Sequence, residues 1–395
     1  MLLNFKTFIY VLFVFASLIS FLQDNIAWGN QPIGWCTSMN PHVDADSLKI
    51  YEFNPEPIGK GATSSIYQGS VRLPDGTIQK VAFKSTLAAL QGKLEANEKL
   101  LKPILKSADA RHFNKIYGSN LKCIVKAGVN GESIQIERVV VLNLAQGSTN
   151  SLIPNLKLDP QEALKNPKEF ERKLGIIEKF AQNGGQTLDA LKKHDLIHSD
   201  IKPENILYSN QGGKGISEIT ANDIEFELAD YDFMVKKGSH VNGITKEFAS
   251  PEVNISSIAT HEQDIYSYSS SVYNMMAGES PIQSARNNSK FYESHMTEKV
   301  HGQVTSKVNE YFDQYSELKA KNPELYQRVH RLQNVVETGM NHSPAERTKI
   351  YEVLNQPVSD FKIQNQIKGT ASLINSEIPL KDTDCEQVLE EIGTM

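Results

Sequence analysis

The stretch His198-Ser199-Asp200-Ile201-Lys202-Pro203-Glu204-Asn205-Ile206-Leu207-Tyr208-Ser209 decides the fold of this chain. Behind the apolar approach Leu196-Ile197 it sets an aspartate, then a lysine two residues on and an asparagine three residues after that. In-line phosphoryl transfer needs three groups of this kind: a carboxylate to orient the attacking hydroxyl, a cation beside the moving phosphoryl group and a carboxamide to hold a metal.

Upstream, Ile58-Gly59-Lys60-Gly61-Ala62-Thr63-Ser64-Ser65-Ile66-Tyr67-Gln68-Gly69 reads as a strand, a tight turn and a returning strand. The small residues Gly59, Gly61 and Ser64 let backbone N–H groups approach an anion with no side chain in the way. A glycine-rich hairpin that binds nothing has the same appearance. A second turn at Pro74-Asp75-Gly76 leads into Val81-Ala82-Phe83-Lys84, where alternation puts Ala82 and Lys84 on one face. A helix from Leu87 to about Leu105 follows, with Pro103 expected to end or kink it. Asn130-Gly131 predicts a hairpin turn between strands over Cys123–Val129 and Ser133–Leu144.

Downstream, Glu169 to Lys193 carries apolar residues at helical spacing, interrupted by Gly184-Gly185, which predicts a long helix weakened in its middle. The glycine-rich run from Ser209 to Ile219 reads as an exposed loop. Phe226-Glu227-Leu228-Ala229-Asp230-Tyr231-Asp232 alternates like a strand running into a carboxylate turn.

In order and spacing these segments resemble the eukaryotic-type (Ser/Thr) protein kinase superfamily over about residues 51 to 357. The resemblance implies an α+β, two-lobed protein-kinase-like fold: a small β-rich lobe over residues 51–147 and a larger helical lobe over 148–357. It implies ATP and Mg²⁺ or Mn²⁺ as cofactors and a protein as substrate. Gly59, Lys60, Gly61 and Ser64 would cover the phosphates, Ile66 and Ala82 the adenine, and Lys84 would contact the α- and β-phosphates. Glu98, or Glu95 one turn earlier, would pair with Lys84. Asp200 and Lys202 are the expected catalytic residues and Asn205 and Asp230 the expected metal ligands; Asp232-Phe233-Met234 is the competing register for the last of these. His198 is expected to be structural, and the hinge to lie at Asn143–Gly147.

Further landmarks follow in the superfamily's order. They are Thr245 to Glu252, Asp264 as a brace for the catalytic loop, Met276 to Pro281, and Arg347 as the partner of Glu252. Three positions depart together: Ser64 and Asp232 stand where glycine is usual, and Ser199 where arginine is usual. The aspartate-lysine-asparagine loop and Thr245 resemble Ser/Thr-directed members. A nucleotide-binding pseudokinase acting as a scaffold and a small-molecule kinase on the same fold are the alternative readings.

The rest of the chain bounds these expectations. Its 395 residues, 39% hydrophobic and 22% charged, suffice for a large core, and a net charge of −6 offers no basic footprint for nucleic acid. Lys6, the apolar run Thr7 to Leu22 and Ala27-Trp28-Gly29 read as a secretory signal peptide over residues 1–29, predicting export; a single membrane anchor is the alternative. No later segment is apolar enough to span a membrane. Residues 30–50 and the tail from 358 to 395 match nothing nameable. Cys36, Cys123 and Cys385 are too few and too scattered for a metal site or a disulfide framework, although a bridge between Cys36 and Cys385 is conceivable.

Overall fold

Alternating apolar residues and tight turns build the N-terminal sheet, seen in a computed structural model that describes residues 49–61, 64–87, 91–128, 131–210, 212–254, 257–286 and 298–355. Strands β1 (Lys49–Lys60), β2 (Ser64–Arg72) and β3 (Ile78–Leu87) are followed by helix α1 (Gln91–Leu105), then by β4 (Ile116–Gly128) and β5 (Gly131–Asn143). All pair antiparallel, in the order β1-β2-β3-β5-β4. Pro55 and Pro57 are tolerated because β1 lies at the sheet edge, where a missing N–H breaks no ladder.

The Pro74-Asp75-Gly76 turn closes as read. Gly76 sits at φ +86°, its N–H reaches the Leu73 carbonyl at 2.9 Å, and the Asp75 carboxylate accepts the Thr77 N–H at 2.9 Å. Val71, Val81, Phe83, Val139 and Val141 bury one face of the sheet, and the fully buried Phe83 ring contributes about 3 kcal/mol. The second hairpin differs by a residue from the sequence expectation. Gly128 pairs with Gly131, so Gly131 opens β5 instead of closing the turn, and residues 129 and 130 lie outside the described residues.

The C-terminal part is helical. After the two-residue strand β6 (Gly147–Ser148) come α2 (Pro167–Lys193), β7 (Leu196–Ile197), β8 (Ile206–Asn210), β9 (Ile224–Leu228) and β10 (Val235–Lys236). The long helices α3 (His261–Ala277), α4 (Glu298–Asp313) and α5 (Pro323–Gly339) follow. Small sheets of β6-β8-β9 and β7-β10 frame the catalytic loop. The architecture is α+β and two-lobed, as the resemblance implies.

Helix α3 is the pillar of this lobe, for every residue in it except Glu262 is buried. Its serines help make that possible: they are small, and the Ser267 and Ser271 hydroxyls return to carbonyls four residues back, so that neither of these two is left unbonded. A capping box of Thr260 and Gln263 starts the helix, and Gly278 at φ +84° ends it.

Gly184 and Gly185 do not weaken α2 as expected. Both are buried, and a Cβ on Gly184 would stand 1.7 Å from the Tyr268 ring, one on Gly185 2.7 Å from Leu354. They are contact points where α3 and the C-terminal segment approach the α2 backbone. The run from Ser209 to Ile219 is an exposed connection only in part, since Ile219 is fully buried. No helix among the described residues is long and apolar enough to cross a membrane. Residues 1–48, Cys36, Cys385, the tail from 356 and the Cys123 side chain lie outside the described residues, and with them the signal-peptide and disulfide readings.

Candidate active site

Three backbone segments meet beneath the sheet, and each is placed by local rules. Strand β3 carries Lys84 opposite Ile66 on β2 and Val140 on β5, while Ala82 faces Leu142 just before the hinge. Gly59 and Lys60 pair with Ile66 and Ser65, and the Gly61 N–H reaches the Ser64 carbonyl at 2.8 Å, so the glycine loop closes over this strand; residues 62 and 63 are not described.

The catalytic loop leaves β7 and enters β8. Asp264 on α3 accepts the His198 N–H at 2.7 Å and the Ser199 N–H at 2.9 Å, holding Ser199 at φ +68°, a left-handed conformation that a non-glycine residue adopts at a cost. Burial pushes the Asp264 carboxyl up to about 7 against the pull of those two amides. His198 is wholly buried. Its Nε2–H donates to the Ala229 carbonyl at 3.0 Å and its Nδ1 accepts the Asp200 N–H at 3.3 Å, a tautomer assigned from this network. Burial holds the imidazole neutral, so it is the structural residue that the sequence suggests.

Asp200 is 4% exposed and fully engaged. Its Oδ2 accepts from Lys202 Nζ at 2.8 Å and from Asn205 Nδ2 at 2.9 Å, and its Oδ1 accepts from the Thr245 hydroxyl at 2.6 Å. Lys202 Nζ also donates to the Thr245 oxygen at 2.7 Å. Asn205 spends its amide nitrogen on Asp200, at the backbone carbonyl (2.8 Å) as well as at the carboxylate, which leaves Oδ1 as the outward end of the carboxamide.

Strand β9 delivers the third segment, as Ile206 pairs with Leu228 and the Ala229 N–H reaches the Asn205 carbonyl at 2.8 Å. Asp230 then turns the chain at φ +61°, and Tyr231–Phe233 form one helical turn. The left-handed residue is therefore Asp230 itself. Asp232 has ordinary backbone angles, so the missing glycine costs no strain, contrary to what its usual role suggests.

Lys84 Nζ lies 2.6 Å from Asp230 Oδ1 and 2.8 Å from Asp232 Oδ2. Burial opposes both charges, but the mutual attraction outweighs it, raising Lys84 above and lowering Asp230 below its ordinary range. The expected partners Glu98 and Glu95 belong to α1, but their side chains lie outside the described residues. The α1 residue seen at the site is Asn97, 5% exposed, whose Nδ2 donates to the carbonyls of Tyr231 (3.0 Å) and Asp232 (2.8 Å). The sequence reading missed it because it searched the helix for a carboxylate. Helical phase gave no signal for it, since adjacent positions point about 100° apart and only residues three or four apart share a face.

A small cavity of about 40 Å³ behind Lys84 is lined by Thr86, Asn97, Asn114, Asp230 and Asp232. The larger cleft, about 660 Å³, lies among Leu158, Tyr273, Glu279 and Tyr311 in the helical lobe, and no catalytic-loop residue lines it.

Comparison with known proteins agrees with this geometry. The family model of the protein kinase domain matches residues 54–359. Dual specificity tyrosine-phosphorylation-regulated kinase 3 of Homo sapiens is 28% identical over 124 residues, 31% of this chain and 20% of that protein. Serine/threonine-protein kinase ULK1 of Homo sapiens is 30% identical over 127 residues, 31% of this chain and 12% of that protein. Receptor kinase-like protein Xa21 of Oryza sativa subsp. japonica is 25% identical over 263 residues, 64% of this chain and 23% of that protein. The chain thus aligns with less than a quarter of the length of each of these relatives. Because the family match covers residues 54–359 of 395 and the catalytic loop, the strand lysine and the carboxylate turn converge in one place, the chain belongs to the protein kinase domain family.

Proposed function

We propose that this protein is an ATP-dependent protein kinase that phosphorylates serine and threonine hydroxyls and acts after export. The observation that carries the reading is the seat of Thr245, whose hydroxyl bridges Asp200 at 2.6 Å and Lys202 at 2.7 Å. It ties the segment that positions a substrate chain to the carboxylate that receives the substrate hydroxyl, the arrangement of Ser/Thr-directed members.

Asp230 and Asn205 offer hard oxygen donors, and the Asp230 side chain is 40% exposed. That donor set fits Mg²⁺ or Mn²⁺, which takes one or two protein oxygens and completes its shell with phosphate oxygens and water. Nucleotide and metal together supply the electrophilic γ-phosphorus and charge neutralisation when bound. The chain's own residues do the rest. Gly59, Lys60, Gly61 and Ser64 bring backbone N–H groups to the phosphates, and Ile66 and Ala82 enclose the base. Lys84 would hold the phosphates. Asp200 would orient the attacking hydroxyl and take its proton as the new P–O bond forms and the bond from the γ-phosphorus to the departing ADP breaks, and Lys202 would neutralise the phosphoryl group in transit.

The test is the purified chain with labelled ATP, Mg²⁺ or Mn²⁺ and a generic protein substrate, followed by phosphoamino-acid analysis. Label on serine or threonine is expected. Label on tyrosine alone would overturn the specificity, and nucleotide binding without transfer would favour a scaffold, the reading suggested by the joint departures at Ser64, Ser199 and Asp232. Export has its own check: N-terminal sequencing of secreted protein should begin near Asn30, and an intact Met1 on membrane-bound protein would favour the anchor.

A further inference from the structure

We propose that Asp232, held from helix α1 by Asn97, is the positioning residue that keeps Lys84 in place while nucleotide is bound. The inference rests on the phosphotransferase reading above. Among the described residues Lys84 has two carboxylate partners, and their surroundings differ. Asp230 lies two residues beyond the end of β9 with its side chain 40% exposed, and it is the carboxylate suited to a divalent ion. Once it turns to a cation, its share in Lys84 falls. Asp232, with its side chain 22% exposed, stays behind.

The backbone around Asp232 is tied on two sides. Asn97 Nδ2 takes the carbonyls of Tyr231 and Asp232, at 3.0 and 2.8 Å. The Tyr231 hydroxyl shares its one proton between the carbonyls of Leu228 at 2.6 Å and Asn114 at 3.0 Å. The turn is thus fastened to α1 through an amide, and to β9 and the segment just before β4 through a phenol. A carboxylate mounted there has little freedom to leave Lys84.

In the superfamily the link from helix to strand lysine is made by a helical glutamate. Here the described residues make it through the turn, from Asn97 to the Asp232 backbone and from the Asp232 carboxylate to Lys84. That assigns a purpose to aspartate at a position where glycine is usual, and no backbone strain opposes it, because the left-handed residue is Asp230.

The experiment measures equilibrium binding of a fluorescent ATP analogue, with and without Mg²⁺, to the full chain. The proteins are wild type, Asp232→Asn, Asn97→Leu, Lys84→Met and the double variant Asp232→Asn/Lys84→Met. Asp232→Asn and Asn97→Leu should each weaken binding about tenfold, as loss of an outer partner usually does. In the Lys84→Met background Asp232→Asn should change nothing, since its effect passes through Lys84. Stimulation by Mg²⁺ should be the same in Asp232→Asn as in wild type. If Asn97→Leu does not fold, the Asp232 variants decide alone. Wild-type affinity in Asp232→Asn, or the same loss with and without Lys84, overturns the inference and leaves the kinase reading standing. A wild-type chain that binds no nucleotide overturns both.

Discussion

At the scale of single residues, the two functions of the site separate cleanly enough to be tested by substitution. Asp200 is engaged by Lys202, Asn205 and Thr245 and in the proposed function orients a hydroxyl, so Asp200→Asn should abolish phosphoryl transfer while nucleotide binding survives. Lys84→Met should lower both, because in the proposed function its cation meets the phosphates directly. Wild-type turnover in the Asp200 variant would show that the catalytic loop is wrongly assigned. The two turn carboxylates should also rank. Asp230→Ala is expected to remove the metal dependence of nucleotide binding, and Asp232→Ala to leave that dependence in place; titration with Mg²⁺ at fixed nucleotide reads the difference. The reverse order would transfer the metal role to Asp232-Phe233-Met234.

At the scale of elements, packing decides what local propensity cannot. Gly184→Ala, a favourable change in an isolated helix, should destabilise the protein, because the added methyl meets the Tyr268 ring at 1.7 Å and α3 is buried along its length. A loss of about 3 kcal/mol is expected from overpacking, read as a lowered urea midpoint at unchanged slope. An unchanged midpoint would mean that the helices part without cost. This position also shows the limit of the sequence. The catalytic loop was legible because its chemistry fixes three residue types within six positions, and the strand lysine, the Asp264 brace and the Glu252–Arg347 pair became legible through the family resemblance that this loop anchors. The contact at Gly184 was not, because its partner lies 84 residues away and is a tyrosine like any other. Asn97 escaped for a related reason: a neutral amide that bonds only to backbone carbonyls leaves no complementary charge to search for. The placement of positive φ at Asp230 instead of 232 belongs to the same class, since a turn's handedness follows from what anchors it.

At the scale of the molecule, the segment from Asp230 to Glu252 is fastened at both ends, and this bears on control and on stability. Ser199 offers neither the charge nor the bidentate fork with which an arginine receives a phosphorylated loop. Asn97, Tyr231 and Thr245 already tie the segment down by hydrogen bonds that involve no phosphate. Phosphatase treatment before assay should therefore leave most activity, and loss of most of it would sink the hypothesis. The far end is closed by Arg347, fully buried, whose guanidinium meets Glu252 at 2.6 and 2.9 Å and the carbonyls of Asn341, Glu262 and His342. Burial alone would raise the Glu252 carboxyl, but the arginine fork outweighs it and holds the group below its ordinary 4.5. The unfolded chain then binds the proton more readily than the folded one. The pair's contribution is accordingly complete above pH 4.5 and is lost as pH falls through the lower folded value. Glu252→Gln strands a buried cation and should cost about 2 to 3 kcal/mol at neutral pH. That is less than a fully buried pair would lose, because the Glu252 side chain is 34% exposed and three carbonyls remain on Arg347. Urea unfolding of both proteins across the acid range should show the gap steady from pH 7 to about 5 and closing below, where wild-type Glu252 is itself neutral. A gap that persists undiminished at pH 3 would mean that the side chain acts through shape and hydrogen bonding rather than through its charge.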